Sequence, residues 1–140
     1  MRRSAALLAV LLFTACTNEI DTSVRPESVV GTYQLRAYAG QTPPTQISSD
    51  SLGTTELVSG ELVIGSDKSW VESRVYRFVQ GGSSQQYTFG SNGSWVFLSS
   101  GSPDMQFNDK VLNYQFTGTA AGGTITLSLN DGTTAIYTRP

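Results

Sequence analysis

The chain has 140 residues, no histidine, one cysteine and a formal net charge of −2. Without histidine there is no imidazole acid–base chemistry, no Ser-His-Asp triad and no Cys/His zinc set. A mildly acidic chain with only 14% charged residues lacks the basic stripe that nucleic acid demands, and its Gly, Ser and Thr content suits a folded β protein.

Arg2 and Arg3 open the chain, Ala5 to Phe13 form an apolar run, and Thr14-Ala15 place small residues just before Cys16. This is the layout of a secretory signal. The apolar run is about half of the ~20 residues a bilayer-spanning helix requires. Phe13-Thr14-Ala15-Cys16 resembles the bacterial lipobox, with Phe13 where Leu is usual. That resemblance implies a signal peptide over residues 1–15 and a diacylated Cys16 as the new N-terminus. An ordinary signal with a chance cysteine is the alternative. The lipid would hold the exported protein to the cell envelope. Thr17, in place of the Asp associated with inner-membrane retention, favours the outer membrane by the same resemblance.

Without residues 1–15 the chain keeps seven basic and eleven acidic residues, net −4. Residues 16–28 are polar, contain Pro26 and read as a tether after the lipidated cysteine. Residues 29–140 are one domain's worth of chain. In GTYQLRAYA, Tyr33, Leu35 and Ala37 alternate with Thr32, Gln34 and Arg36, the period of a half-buried strand. Gly40 to Pro44 break it. Further strands are expected over roughly 54–58, 61–65, 70–79, 85–89, 94–99, 105–108, 111–117, 124–129 and 134–138. The turn signals between them include Gly81-Gly82, Ser91-Asn92-Gly93, Ala121-Gly122-Gly123 and Asn130-Asp131-Gly132. No helix is expected beyond a short turn near 25–30.

Nine or ten short antiparallel strands must hide their edges. A closed up-and-down barrel does so completely, and a two-sheet sandwich is the competitor. Short successive hairpins favour the all-β meander closed as a barrel of about 8–10 strands. Tyr33, Leu35, Leu62, Ile64, Phe89, Phe97, Leu127 and Tyr137 are expected to point inward.

Val30-Gly31-Thr32-Tyr33-Gln34-Leu35, followed by Gly40 and Pro43-Pro44, resembles the opening of bacterial lipocalin-like lipoproteins. Ala135 to Arg139 is similar to their last strand. Lipocalins carry Trp where this chain has Tyr33. The resemblance implies a lipocalin-like β-barrel and binding of a small molecule inside it.

Trp70, Tyr76 and Phe78 share one strand face with Glu72 and Arg74. An aromatic wall with two polar groups suits a ligand pocket. Val71, Val75 and Val79 make the other face apolar too, so a strand packed on both sides is the plainer alternative. Trp70 and Tyr76 are expected to line an apolar cavity near one barrel mouth, with Arg74 at its rim. Asp67, Asn92 and Asn130-Asp131 read as turn formers, not calcium loops. A carboxylate pair of Glu72 with Glu61 or Glu56 is a remote glycosidase-like option. No motif asks for a cofactor or metal. The expected function is therefore non-catalytic: a lipid-anchored barrel binding a small apolar or amphipathic ligand. A filled barrel acting as a structural or protein-interaction module of the envelope is the alternative.

Overall fold

The computed structural model describes residues 25–140. The expected signal peptide, Cys16 and most of the tether lie outside the described residues. A four-residue helix, α1 (Pro26–Val29), starts on proline, which suits a first helical turn because its missing N–H has no partner there anyway. Nine strands follow: β1 (Gly31–Tyr38), β2 (Thr45–Ser49), β3 (Thr54–Ile64), β4 (Ser69–Gln80), β5 (Ser83–Phe97), β6 (Asp104–Asp109), β7 (Tyr114–Ala121), β8 (Thr124–Ser128) and β9 (Thr134–Thr138).

From β3 to β9 each strand pairs antiparallel with the next, and β1 pairs with both β9 and β3. The sheet therefore closes into an eight-stranded up-and-down barrel, and the sandwich is set aside. β2 is the ninth strand. β1 covers the C-terminal half of β3 (Glu61–Ile64), and β2 runs in the same direction along its N-terminal part (Thr54–Leu57). The two are one interrupted strand, broken where β1 leaves β3 to reach β9. The β4–β5 and β7–β8 connections are two-glycine hairpins. Gly81 and Gly82 have φ of +55° and +80°, and Gly122 and Gly123 have +56° and +77°. Both central residues of a type I′ turn need positive φ, which glycine adopts without a Cβ clash.

Alternation fills the lower half of the barrel, the end where β1 begins. Trp70, Trp95, Phe107, Leu62, Ile64, Met105, Ile125 and Leu127 are all buried there. Phe107 and Phe116 stack with ring centroids 5.0 Å apart, and Trp70 meets them edge-on at 5.9 and 5.5 Å. Edge-to-face and offset-stacked rings are the favoured aromatic geometries. Each indole N–H still finds an acceptor: Trp70 donates to the Ser94 carbonyl at 3.1 Å and Trp95 to that of Gly65 at 3.2 Å. Val29 of α1 is also buried, and the Tyr33 hydroxyl donates to its carbonyl at 2.7 Å. Arg139 reaches back to the carbonyls of Ser28 (2.5 Å) and Val30 (3.0 Å).

Several sequence expectations are corrected. Ser91-Asn92-Gly93 is no turn but lies inside β5, which joins the two strands expected at 85–89 and 94–99. The glycine answers a different need. A Cβ on Gly93 would sit 1.7 Å from the Asn108 carbonyl oxygen, so Gly93 lets β5 and β6 approach. β3 likewise joins the two strands expected on either side of Gly60. β2 was not expected, because TQISS shows no buried alternation: only Thr45 is covered. Of the eight residues expected inside, Phe89 is 38% exposed. It has inward parity, but β6 pairs with β5 only from Gly93 onward, so Phe89 lies on the stretch of β5 with a single neighbour and stays partly exposed. Phe97 is partly buried against the core.

Candidate functional site

β4 crosses the whole barrel, and its even-numbered residues face inward. Trp70, Glu72 and Arg74 are buried, while Val71 is half exposed on the outside. Charges on an inward face need partners, because an unpaired buried charge costs several kcal/mol. Arg74 and Glu72 supply each other. Each is 7% exposed, and Arg74 Nη2 donates to Glu72 Oε1 at 2.7 Å. Tyr137 of β9, fully buried, donates its hydroxyl to the same carboxylate oxygen and accepts Arg74 Nε at 3.4 Å. Gly60 makes room for that hydroxyl: a Cβ there would lie 3.4 Å from it and 3.2 Å from Leu35.

Tyrosines sit above this cluster. The Arg74 guanidinium lies 5.1 Å from the centre of the Tyr38 ring, within cation–π range. Tyr76, two residues further along β4, stacks on Tyr87 of β5 at 5.4 Å and 17°. Tyr38, Tyr76 and Tyr114 pack partly buried against the core. Beside them Ser91 donates to the buried Asp109 carboxylate, whose other oxygen accepts the backbone N–H groups of Val111 and Leu112 at 2.8 and 2.9 Å. Asp109 thereby closes the β6–β7 turn.

The ion pair holds the proton on Arg74, and burial holds it on the phenols. Burial competes with the Glu72 charge at Arg74, and the net effect raises the guanidinium above its ordinary value, so it stays charged. Burial, then the nearby Glu72 carboxylate, pushes the Tyr137 phenol well above 10. Burial also raises Tyr76 and Tyr114. The cluster holds the Arg74 and Tyr137 donors in place around the Glu72 carboxylate.

Of the residues singled out from sequence, Arg74 and Tyr76 come together in the upper half of the barrel. Trp70 does not join them. It is 1% exposed within the aromatic floor, roughly 20 Å along the strand from Tyr76 at ~3.3 Å per residue. Cys16 lies outside the described residues. Glu61 is exposed on the outer face, where it accepts Gln34 at 2.8 Å. Glu56 pairs with Arg77 there, so neither meets Glu72. Asp67 and Asp131 are turn formers, accepting the N–H groups of Ser69 (3.0 Å) and Thr133 (2.8 Å). Among the described residues no three carboxylate or cysteine side chains gather as a metal site.

Sequence reasoning missed Tyr38 and the role of Tyr137. Strict alternation puts Tyr38 opposite Tyr33 and Leu35. A register shift between Leu35 and Ala37 reverses the parity and turns Tyr38 inward. Tyr137 was expected inside, but its partner Glu72 is 65 positions away and only the closed register brings them together. No family model matches this chain, and no curated protein or solved structure matches it either.

Proposed function

We propose that this chain is an exported, lipid-anchored, lipocalin-like barrel protein that binds a small amphipathic molecule at its upper mouth without transforming it. One observation carries the reading. The buried Glu72–Arg74–Tyr137 cluster lies beneath half-covered tyrosines, a few convergent polar groups under an aromatic rim, as in small-molecule sites. Arg74 is already neutralised by Glu72, so the site suits a flat apolar body with an uncharged polar end. The anchor is inferred from residues 2–16 alone.

Two experiments test this. The neutral probe N-phenyl-1-naphthylamine is titrated into the purified protein. Saturable enhancement of its emission is expected, weakened about tenfold by Tyr76→Ala, the scale of one lost aromatic contact. Absence of saturable binding overturns the ligand reading. For the anchor, Cys16→Ser should move the protein from the membrane fraction to soluble or uncleaved material. An unmodified mature chain by intact mass overturns it.

The second reading is a structural or protein-interaction module of the envelope. It is favoured by the packing of Trp70, Phe107 and Phe116, which fills the lower barrel. It takes the lead if the mouth binds no probe.

A further inference from the structure

β5 is fifteen residues long, but it has two neighbours over only part of its length. β4 covers it from Ser83 to Ser94. β6 covers the other edge only from Gly93 to Phe97, with one further bond from Lys110 N–H to the Asn92 carbonyl at 2.9 Å. Below residue 92 no strand pairs with that edge among the described residues. Ser83 to Gly90 are exposed without a break. The Asn92 bond fixes the phase. Backbone groups alternate edges along a strand, so Ser84, Gln86, Thr88 and Gly90 aim their N–H and C=O groups away from β4.

Such an edge templates pairing with another chain, and proteins usually blunt it with lysine, proline, bulges or covering loops. The β2 edge is blunted: it is five residues long, with a register shift between Gln46 and Ser48, and is followed directly by Asp50. The β5 edge is not. Ser83-Ser84-Gln85-Gln86-Tyr87-Thr88-Phe89-Gly90-Ser91 has no charge, no proline and no register shift against β4.

We propose that this edge pairs antiparallel with the same edge of a second copy, joining two barrels through a continuous sheet. Three features select a second copy. The segment is uncharged, so two copies lie side by side with no like-charge repulsion and with no complementary charge sought from a different partner. An antiparallel strand meeting itself is two-fold symmetric, the commonest closed assembly. The inward face of the projecting arm carries Tyr87 and Phe89, 49% and 38% exposed, beside Tyr76 and Phe78. The two-fold joins these into one aromatic face across the seam, where cross-strand aromatic pairs add stability. The pairing does not depend on the mouth binding a ligand.

The test uses the full-length chain in mild detergent. Sedimentation equilibrium is expected to give a dimer that dissociates on dilution. Amide exchange at Gln86 and Thr88 should slow about tenfold or more on dimerisation. Gln86→Lys with Thr88→Lys places charges across the seam and should yield a monomer. Thr88→Pro should do the same, because that N–H faces away from β4 and its loss breaks no bond within the barrel. Both variants should keep the wild-type β circular-dichroism spectrum. A wild-type monomer overturns the proposal. So does a dimer in which Gln86 and Thr88 exchange freely, or protection at those amides that persists on dilution to monomer.

Discussion

Glu72 and Arg74 are two residues apart on one strand, so both enter the barrel and meet each other at 2.7 Å. Breaking one partner leaves the other charged, buried and unmatched. Arg74→Met or Glu72→Leu alone should cost about 3–5 kcal/mol of unfolding free energy. The double variant should be more stable than either single, because neither charge is then stranded. Urea unfolding of the four proteins measures this. Additive losses would show that the two side chains do not act as a pair.

Tyr137 gives the fold an alkaline limit. Its folded phenol ionises well above 10, mainly through burial, and Tyr76 and Tyr114 are raised as well. The unfolded chain therefore loses these protons first. Stability is fully present below about pH 10 and falls as pH rises toward the folded values. Urea midpoints measured between about pH 8 and 12 should decline accordingly. Tyr137→Phe should lose about 1–3 kcal/mol at neutral pH, since Glu72 loses a donor, yet decline less steeply at high pH.

Trp70 and Tyr76 separate floor from mouth. Trp70→Ala should cost about 3–5 kcal/mol through the cavity it opens beside Phe107 and Phe116. Tyr76→Ala, at a half-covered position, should cost less. Thermal melts followed by circular dichroism rank the two. Equal losses would place both residues in the core.

The meander was legible because turn chemistry and alternation agreed. Gly81-Gly82 and Gly122-Gly123 are hairpin turns, and Tyr33, Leu35, Leu62 and Ile64 face inward. What was illegible depends on pairing between distant strands. Asn92-Gly93 has the composition of a turn, but its glycine is required by β6. Phe89 has inward parity, but β5 outruns β6 there. The even face of β4 was readable as a site, although Val71, Val75 and Val79 made the opposite face equally apolar by composition. Tyr38 and Tyr137 reach Arg74 only through a bulge and a barrel closure, neither of which leaves a local mark.

Gly93 gives the sharpest single-residue prediction. Alanine there would drive a methyl group into the Asn108 carbonyl, with the Trp70 indole nitrogen only 2.9 Å away. Backbone cannot yield as a flexible side chain can. Gly93→Ala should lose about 3 kcal/mol or more. Gly122→Ala has open space but positive φ, so it should lose about 1–2 kcal/mol from strain alone. Chemical denaturation distinguishes them, and a near-neutral Gly93→Ala would mean that β5 and β6 are further apart.

The Arg139 side chain, bonded to the carbonyls of Ser28 and Val30 and lying over the Tyr33 ring at 5.2 Å, brings the entry and exit of the barrel together at its lower end. In a ring of strands closed in this way the order of synthesis is one choice among several. A permuted gene can fuse Pro140 to residue 25 through a few added residues and open the chain between Gly81 and Gly82, where no side chain is lost and a Cβ would meet only open space. The same eight barrel strands would then close with β5 translated first and β4 last.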